Sequence, residues 1–191
     1  MKLIKKLTYF GILLLLMQSC SFYSTKGTIP IHIKDVYIKP IQNNSIDQEV
    51  VNLLDIQLNQ LLLNQNILKI VEYDEADSKI EITILEVLDS PYTINKGEQF
   101  DTEVTEWKLS VKAKVVWLDF KKGETLFDAT INEWGLYGND LDISSDGIDN
   151  DGDGLIDSED SDEIGSPRDS ARFIAINKIS EKILTKITST W

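Results

Sequence analysis

The sequence contains few of the side chains that enzymes use for catalysis or that exported proteins use to form disulfides. Its 191 residues include one cysteine, Cys20, and one histidine, His32. One thiol cannot form an intramolecular disulfide, so packing must hold the fold together. The sequence contains no nucleophile elbow, phosphate-binding loop or zinc motif. A lone histidine in an apolar strand is more typical of a packed or surface residue than of a catalyst. We therefore predict that the protein is not an enzyme.

Positive charge is also scarce. The chain has 19 lysines and arginines against 32 aspartates and glutamates. Since the sequence has no basic stripe to neutralise phosphates, we predict that the protein has no nucleic-acid partner. Much of the acidity lies in residues 140–163, which contain eleven acidic residues and no basic one. The acidic character therefore belongs mainly to one segment, and the rest of the chain has an ordinary charge balance.

The N-terminal residues have the order of a bacterial lipoprotein signal. A lysine-rich start is followed by an apolar run over residues 7–17, and then by Ser19 and Cys20. The run is too short for a membrane-spanning helix, which needs about 20 residues. We predict that residues 1–19 are a signal peptide, that Cys20 carries a covalent lipid, and that residues 20–30 are a tether. Residues 31–191 then form one domain.

Alternating apolar and polar residues predict the strands. The pattern covers residues 31–39, 68–73, 79–87, 108–117 and 127–134, and residues 90–101 are predicted to be a long hairpin loop. A change in the apolar phase near Asp35 suggests a bulge. The turn at residues 121–124 contains Gly123 and is short, which favours antiparallel pairing.

Two amphipathic helices are predicted from apolar stripes. Ser45 and Gln48 have the spacing of a capping box, and an apolar stripe from Ile46 to Leu62 follows, with the helix ending near Asn64. Ser166, Pro167 and Asp169 begin the second helix. The predicted order is β-α-β-β-β-β-α. This order indicates an α+β, two-layer domain in which two helices cover a mostly antiparallel sheet of four to five strands.

The acidic segment, residues 140–163, has the spacing of a calcium loop. Alternate oxygen-bearing residues converge on one cation, and Gly154 allows the sharp turn. The predicted calcium ligands are Asp149, Asp151, Asp153, the carbonyl of Leu155, Asp157 and Asp160. The segment resembles the aspartate-rich repeats of dockerins and thrombospondin type-3 segments. The alternative is a solvated acidic loop that binds no metal.

Lys108, Lys112 and Lys114 share one face of a predicted strand. This face is either the solvent side of a half-buried sheet or a small basic strip for an anionic ligand. Lys112 and Lys114 are the candidate ligand-binding residues.

Apart from the acidic segment, the mature chain resembles the LptE family of outer-membrane lipoproteins that act in lipopolysaccharide assembly. The resemblance lies in the layout and in four short stretches: Cys20-Ser21-Phe22-Tyr23, Glu75-Ala76-Asp77, Trp134-Gly135-Leu136-Tyr137, and residues 172–175 at the start of the last helix. The acidic segment is not part of the family pattern.

The resemblance implies a non-enzymatic subunit of the lipopolysaccharide translocon. Such a subunit binds an outer-membrane β-barrel of the LptD type, is lipid-anchored on the periplasmic side, and contacts lipopolysaccharide. The acidic segment supports a different hypothesis, a calcium-dependent periplasmic or surface lipoprotein that binds carbohydrate or another protein.

Overall fold

The computed structural model describes residues 29–96, 102–138 and 166–189. Within these ranges, two helices pack on one face of a six-stranded mixed sheet, which confirms the predicted α+β class. The elements in chain order are β1 (Asp35–Ile38), β2 (Gln42–Asn43), α1 (Glu49–Gln65), β3 (Lys69–Ile70), a 3₁₀ turn (Tyr73–Glu75), β4 (Ser78–Lys96), β5 (Thr102–Asp119), β6 (Glu124–Gly138) and α2 (Pro167–Ser189).

The sheet combines antiparallel and parallel pairing. The strand order is β3-β1-β4-β5-β6, and β2 also pairs with β4. The long strands β4, β5 and β6 are antiparallel, whereas β1 runs parallel to both β3 and β4. The parallel edge arises because α1 carries the chain back along the sheet, so the next strands run in the direction of β1.

The core lies between the helices and the inner face of the sheet. Apolar residues at alternate positions of β4 and β5 are fully buried, and Trp117 is the largest of them. The stripes of both helices face this layer, as their spacing predicted. The buried helix residues include Val50, Leu54, Leu58 and Leu62 in α1 and Ala175, Ile176, Ile179, Ile183 and Ile187 in α2.

The first strand is shorter than the alternation predicted. Ile33 donates its backbone N–H to the carbonyl of Pro30 at 2.8 Å, which makes a turn where the strand was expected to begin. Ile31 is consequently 95% exposed, and β1 begins only at Asp35. The change in apolar phase near Asp35 therefore marks the end of this turn, and the predicted bulge is not needed to explain it. The predicted strand over residues 68–73 is likewise reduced to β3, and the 3₁₀ turn follows it.

The predicted capping box at Ser45 is wrong. The hydroxyl of Ser45 donates to the side chain of Asn43 at 2.8 Å, within a tight loop that precedes the helix. The helix begins at Glu49, and Ile46 is left 98% exposed. The predicted end near Asn64 is close to the observed one, since α1 ends at Gln65 and Asn66 adopts the left-handed conformation that follows it. The predicted cap of α2 is confirmed, since Asp169 accepts hydrogen bonds from the backbone and hydroxyl of Ser166.

Most of the predicted loop over residues 90–101 belongs to the sheet. Strand β4 extends to Lys96, and β5 begins at Thr102. A register shift in the β4–β5 ladder next to Pro91 accommodates the proline. At about 3.3 Å per residue, β4 spans roughly 60 Å, whereas α2 spans about 35 Å at 1.5 Å per residue. The hairpin is therefore much longer than the helix layer. Strand β6 continues through residues 135–138, beyond the predicted end of the last strand at residue 134.

Candidate partner-binding surface

The sheet face opposite the helices changes character along its length. We call the end where β4 begins and β5 ends the proximal end, and the end with the tip of the β4–β5 hairpin the distal end. In the proximal half, charged side chains neutralise each other. Lys79 lies 2.6 Å from Glu81, and Lys114 lies 3.1 Å from Asp128. This half is an ordinary solvated surface.

The distal half exposes large apolar side chains. We define the distal patch as Leu88, Tyr92, Ile94 and Trp134. The first three are 52–53% exposed and Trp134 is 38% exposed. Ser110 of β5 pairs with Leu88 of β4 on one side and with Trp134 of β6 on the other. Residues paired in this way point to the same face, so Leu88 and Trp134 share the helix-free face. Tyr92 contacts Trp134 through its ring, and large exposed apolar side chains of this kind are typical of an interaction site.

The aromatic rings of the patch are ordered by one another and by a lysine. The rings of Tyr92 and Trp134 stack with their centroids 6.2 Å apart and their planes 27° apart. The Nζ of Lys178, on α2, lies 4.8 Å from the Trp134 ring centroid and donates to the Trp134 carbonyl at 3.0 Å. A cation over an indole face adds stabilisation. The patch is thus held in place without being covered.

A polar cluster on the opposite side of the sheet supports the patch strands. Arg168 of α2 donates to Asp89 at 2.8 Å, and the Tyr137 hydroxyl donates to the same carboxylate at 2.9 Å. Burial, together with the charge of Asp89, raises the pKa of Tyr137 to about 12. The hydrogen bond to Asp89 raises the pKa of Arg168 above its usual value. These contacts bind α2 to β4 and β6 directly behind Leu88.

Arg172 extends the same cluster to α1. Its buried guanidinium donates to Asp47 at 3.1 Å and also pairs with Glu49 and Asp169. Burial raises the pKa of Asp169, but the hydrogen bonds from Ser166 and the charge of Arg172 outweigh it, so the pKa lies below its ordinary value. The cluster therefore joins both helices and the sheet at the distal end, and its geometry is that of a structural clasp.

A cleft of about 310 Å³ opens beside the clasp. Its walls come from β5, β6 and the start of α2, and include Trp107, Tyr137, Pro167 and Arg168. The volume is near the lower limit for small-molecule sites. With two aromatic walls, it can receive an apolar side chain of a partner that covers the distal end.

The two candidate lysines lie where the alternation placed them, on the exposed helix-free face. Lys114 already pairs with Asp128, and Lys112 lies opposite Glu86 in the ladder. They are not joined in a pocket. Lys108 lies between Ser90 and Leu136 in the ladder, beside the distal patch. The patch itself was missed, because Pro91 and Gly97 made residues 90–101 look like a loop.

Other predicted site residues fall elsewhere. Cys20 and the predicted calcium ligands, from Asp149 to Asp160, lie outside the described residues. Within those residues, no group of three or more histidine, cysteine or acidic side chains could hold a metal. No helix in the same ranges is long and apolar enough to cross a membrane.

His32 lies at the proximal end, with Nε2 at 2.6 Å from Oδ2 of Asp119, away from the patch.

No family model and no curated protein matches the sequence. Among solved structures, a hypothetical protein of Chlamydia trachomatis is 9% identical with a TM-score of 0.49, and the match covers 81% of this chain and 98% of that one. The uncharacterised lipoprotein B of Nitrosomonas europaea is 13% identical with a TM-score of 0.48, covering 84% of each chain. A minor lipoprotein of Acinetobacter baumannii is 12% identical with a TM-score of 0.45, covering 82% and 93%. Likeness at this level carries no functional argument, so the function is inferred from the residues themselves.

Proposed function

We propose that the protein is a lipid-anchored, non-enzymatic subunit of the lipopolysaccharide transport machinery in the outer membrane. In this proposal its distal patch binds a β-barrel partner of the LptD type. The observation that carries the proposal is the exposed patch of Leu88, Tyr92, Ile94 and Trp134. It is ordered by stacking and by Lys178, and the clasp fixes the strands that bear it.

The distance between the patch and the point where the chain enters the described domain supports this assignment. The chain enters the domain at the proximal end, where Ile33 is buried and His32 contacts Asp119. Leu88 lies ten residues beyond Ser78 along β4, which is roughly 33 Å at about 3.3 Å per residue. A domain anchored through Cys20 therefore presents its apolar surface well away from the anchor. This arrangement suits a protein that reaches into or against a partner in the same membrane.

The proposal also includes contact with lipopolysaccharide on the helix-free face. Lys108, Lys112 and Lys114 offer positive charge to the phosphates of this anionic amphiphile, and the neighbouring patch offers apolar contact. Lys114 is paired with Asp128, whereas Lys108 and Lys112 form no ion pair with the described residues. The strongly negative net charge of the chain confines such contact to this face.

Native affinity purification tests the barrel partner. The full-length lipoprotein is extracted in mild detergent, and the recovered proteins are identified by mass spectrometry. We expect the wild type to recover one large outer-membrane β-barrel, and Tyr92→Ser/Trp134→Ser to lose most of it. Tyr73→Ser is the matched control, because Tyr73 is an equally exposed aromatic residue in a proximal cluster with Tyr37 and Phe120. Full recovery by the double variant would contradict the proposal.

The spacing of the acidic segment favours a second role, structural calcium binding by Asp149, Asp151, Asp153, Leu155, Asp157 and Asp160. Titration calorimetry of the full-length protein with calcium is expected to give a dissociation constant of about 10⁻⁴ to 10⁻³ M. Asp153→Ala should abolish the heat. Deletion of residues 140–163 separates the two roles, since barrel recovery that survives the deletion leaves calcium as an accessory function.

A further inference from the structure

The strand β6 has a free edge in the part of the chain that the structure describes. It pairs with β5 along one side, and its register is continuous from Phe127 to Gly138. In an antiparallel ladder, every second residue of a strand directs both its N–H and its C=O away from the partner strand. The Trp134 carbonyl points outward, because it accepts from Lys178. Asn132 and Thr130, two and four residues earlier, therefore also direct their N–H and C=O groups outward.

A groove runs along this edge, away from the distal patch. It has a volume of about 440 Å³ and lies between residues 129–132 of β6 and the C-terminal half of α2. Lys182 and Lys186 of α2 line it. Lys182 forms an ion pair with Glu133, whereas Lys186 has no ion-pair partner among the described residues. The groove thus combines unpaired backbone groups with net positive charge.

We propose that this groove binds an extended, acidic segment of a partner protein, which pairs with residues 129–132 as an additional strand. The exposed backbone of β6 supplies the hydrogen bonds, as in other cases of strand addition. Lys182 and Lys186 lie about 6 Å apart along the helix axis at 1.5 Å per residue. Side chains on one face of a strand repeat about every 6.6 Å. Acidic residues at alternate positions of the partner therefore match the two lysines.

This proposal concerns a surface separate from the distal patch and does not depend on the β-barrel assignment. The competing explanation is that the lysines only protect the edge of β6 against strand pairing and that no partner binds there. Lysines at an edge and an inward-pointing charge such as Glu133 are known devices against unwanted pairing. Protection predicts that no extended peptide binds, whereas the proposed site predicts saturable binding that depends on peptide charge.

The test uses the full-length protein in detergent and a fluorescent octapeptide of alternating valine and glutamate. We expect saturable binding by anisotropy, weakened by salt, and slowed hydrogen exchange at the Thr130 and Asn132 amides. An octapeptide of alternating valine and lysine should not bind. Lys186→Glu should weaken binding about fivefold to tenfold, since it replaces a surface attraction with a repulsion. Lys122→Glu makes the same charge change in a distant turn and should leave affinity unchanged.

A backbone variant tests strand pairing independently of charge. Thr130→Pro removes an outward N–H but leaves the ladder to β5 intact, and proline is tolerated on an edge strand in this orientation. We expect it to abolish peptide binding. The proposal is overturned if the wild type does not bind the acidic peptide, or if Lys186→Glu binds as well as Lys122→Glu. It is equally overturned if exchange slows at the amides of Leu88 and Tyr92 in β4 instead of at those of Thr130 and Asn132.

Discussion

Gly135 of β6 lies directly against the backbone of Ala171 in α2. A methyl group on Gly135 would lie 2.2 Å from the carbonyl oxygen of Ala171, much closer than a carbon and an oxygen can approach. The contact sets how closely α2 approaches the sheet. It also places Arg168 and Arg172, on the same stretch of helix, within reach of Asp89 and Asp47.

Gly135→Ala should therefore destabilise the fold. The clash is with helix backbone and cannot be relieved by rotating a side chain, so we expect a loss of about 2–3 kcal/mol in the free energy of unfolding. Urea denaturation measures it. Gly123→Asn is the control, because Gly123 has a φ of +65° and open space around it, a conformation that asparagine tolerates. Equal stability of Gly135→Ala and wild type would show that α2 moves freely over β6.

Arg172 is expected to be the most sensitive member of the clasp. Its side chain and that of Asp47 are 7% and 8% exposed. Arg172→Met therefore leaves a nearly buried carboxylate with Arg168 as its one ion-pair partner among the described residues, beside a hydrogen bond from the Glu49 backbone N–H. We expect a loss of about 3 kcal/mol, which is typical when one partner of a buried ion pair is removed. Lys114→Met breaks the exposed pair with Asp128 and should cost about 0.5 kcal/mol or less. Similar losses in both variants would contradict a structural role for the clasp.

The elements that could be predicted from sequence are those whose pattern is repeated many times. The alternation in β5 and the apolar stripes of α1 and α2 each span several turns or residue pairs, so single exceptions do not hide them. Short signals failed because tertiary contacts decided them. Ser45 matched a helix cap but bonds Asn43 in a loop, and Ile31 matched a strand but follows a turn at Pro30.

The candidate surface was harder to predict than the fold. Alternation correctly placed Lys112 and Lys114 on the exposed face, but it could not show that Lys114 is paired across strands with Asp128. Trp134 is far in sequence from Leu88 and Tyr92 and shares a face with them only because β5 pairs with both β4 and β6. Pro91 also interrupts the strand pattern at the point where the patch begins, and a register shift that tolerates proline is not visible in one sequence.

Cys20→Ser should release the protein from the membrane. If Cys20 is acylated, its loss removes the anchor, since several acyl chains together give stable attachment. Palmitate labelling of growing cells should mark the wild type and not the variant, and fractionation should move the variant out of the membrane pellet. Ser19→Ala keeps a small residue before the cysteine and is the matched control. Continued labelling of Cys20→Ser would place the lipid elsewhere or exclude it.

Asp119 should contribute to the acid sensitivity of the fold. Its carboxylate is fully buried. Burial raises its pKa, but hydrogen bonds from His32 and from the backbone of Lys122 and Lys121 outweigh burial, so its pKa lies below the ordinary value of 3.8. A carboxyl with a lowered pKa in the folded state binds its proton more weakly there than in the unfolded chain. Its contribution to stability is therefore complete above the unfolded value and is lost as the pH falls below it.

Asp119→Asn should accordingly lower the free energy of unfolding at pH 7 and make its decline between about pH 5 and 3 shallower than in the wild type. Urea denaturation across this pH range measures both effects. Asp55→Asn removes the same charge from the exposed side of α1 and should change stability at pH 7 by less than about 0.5 kcal/mol. An unchanged acid slope in Asp119→Asn would mean that other carboxyl groups, such as Asp77 beside Lys121, carry the acid sensitivity. The hydrogen bond to Lys121 lowers the pKa of Asp77, so Asp77→Asn should then flatten the slope instead.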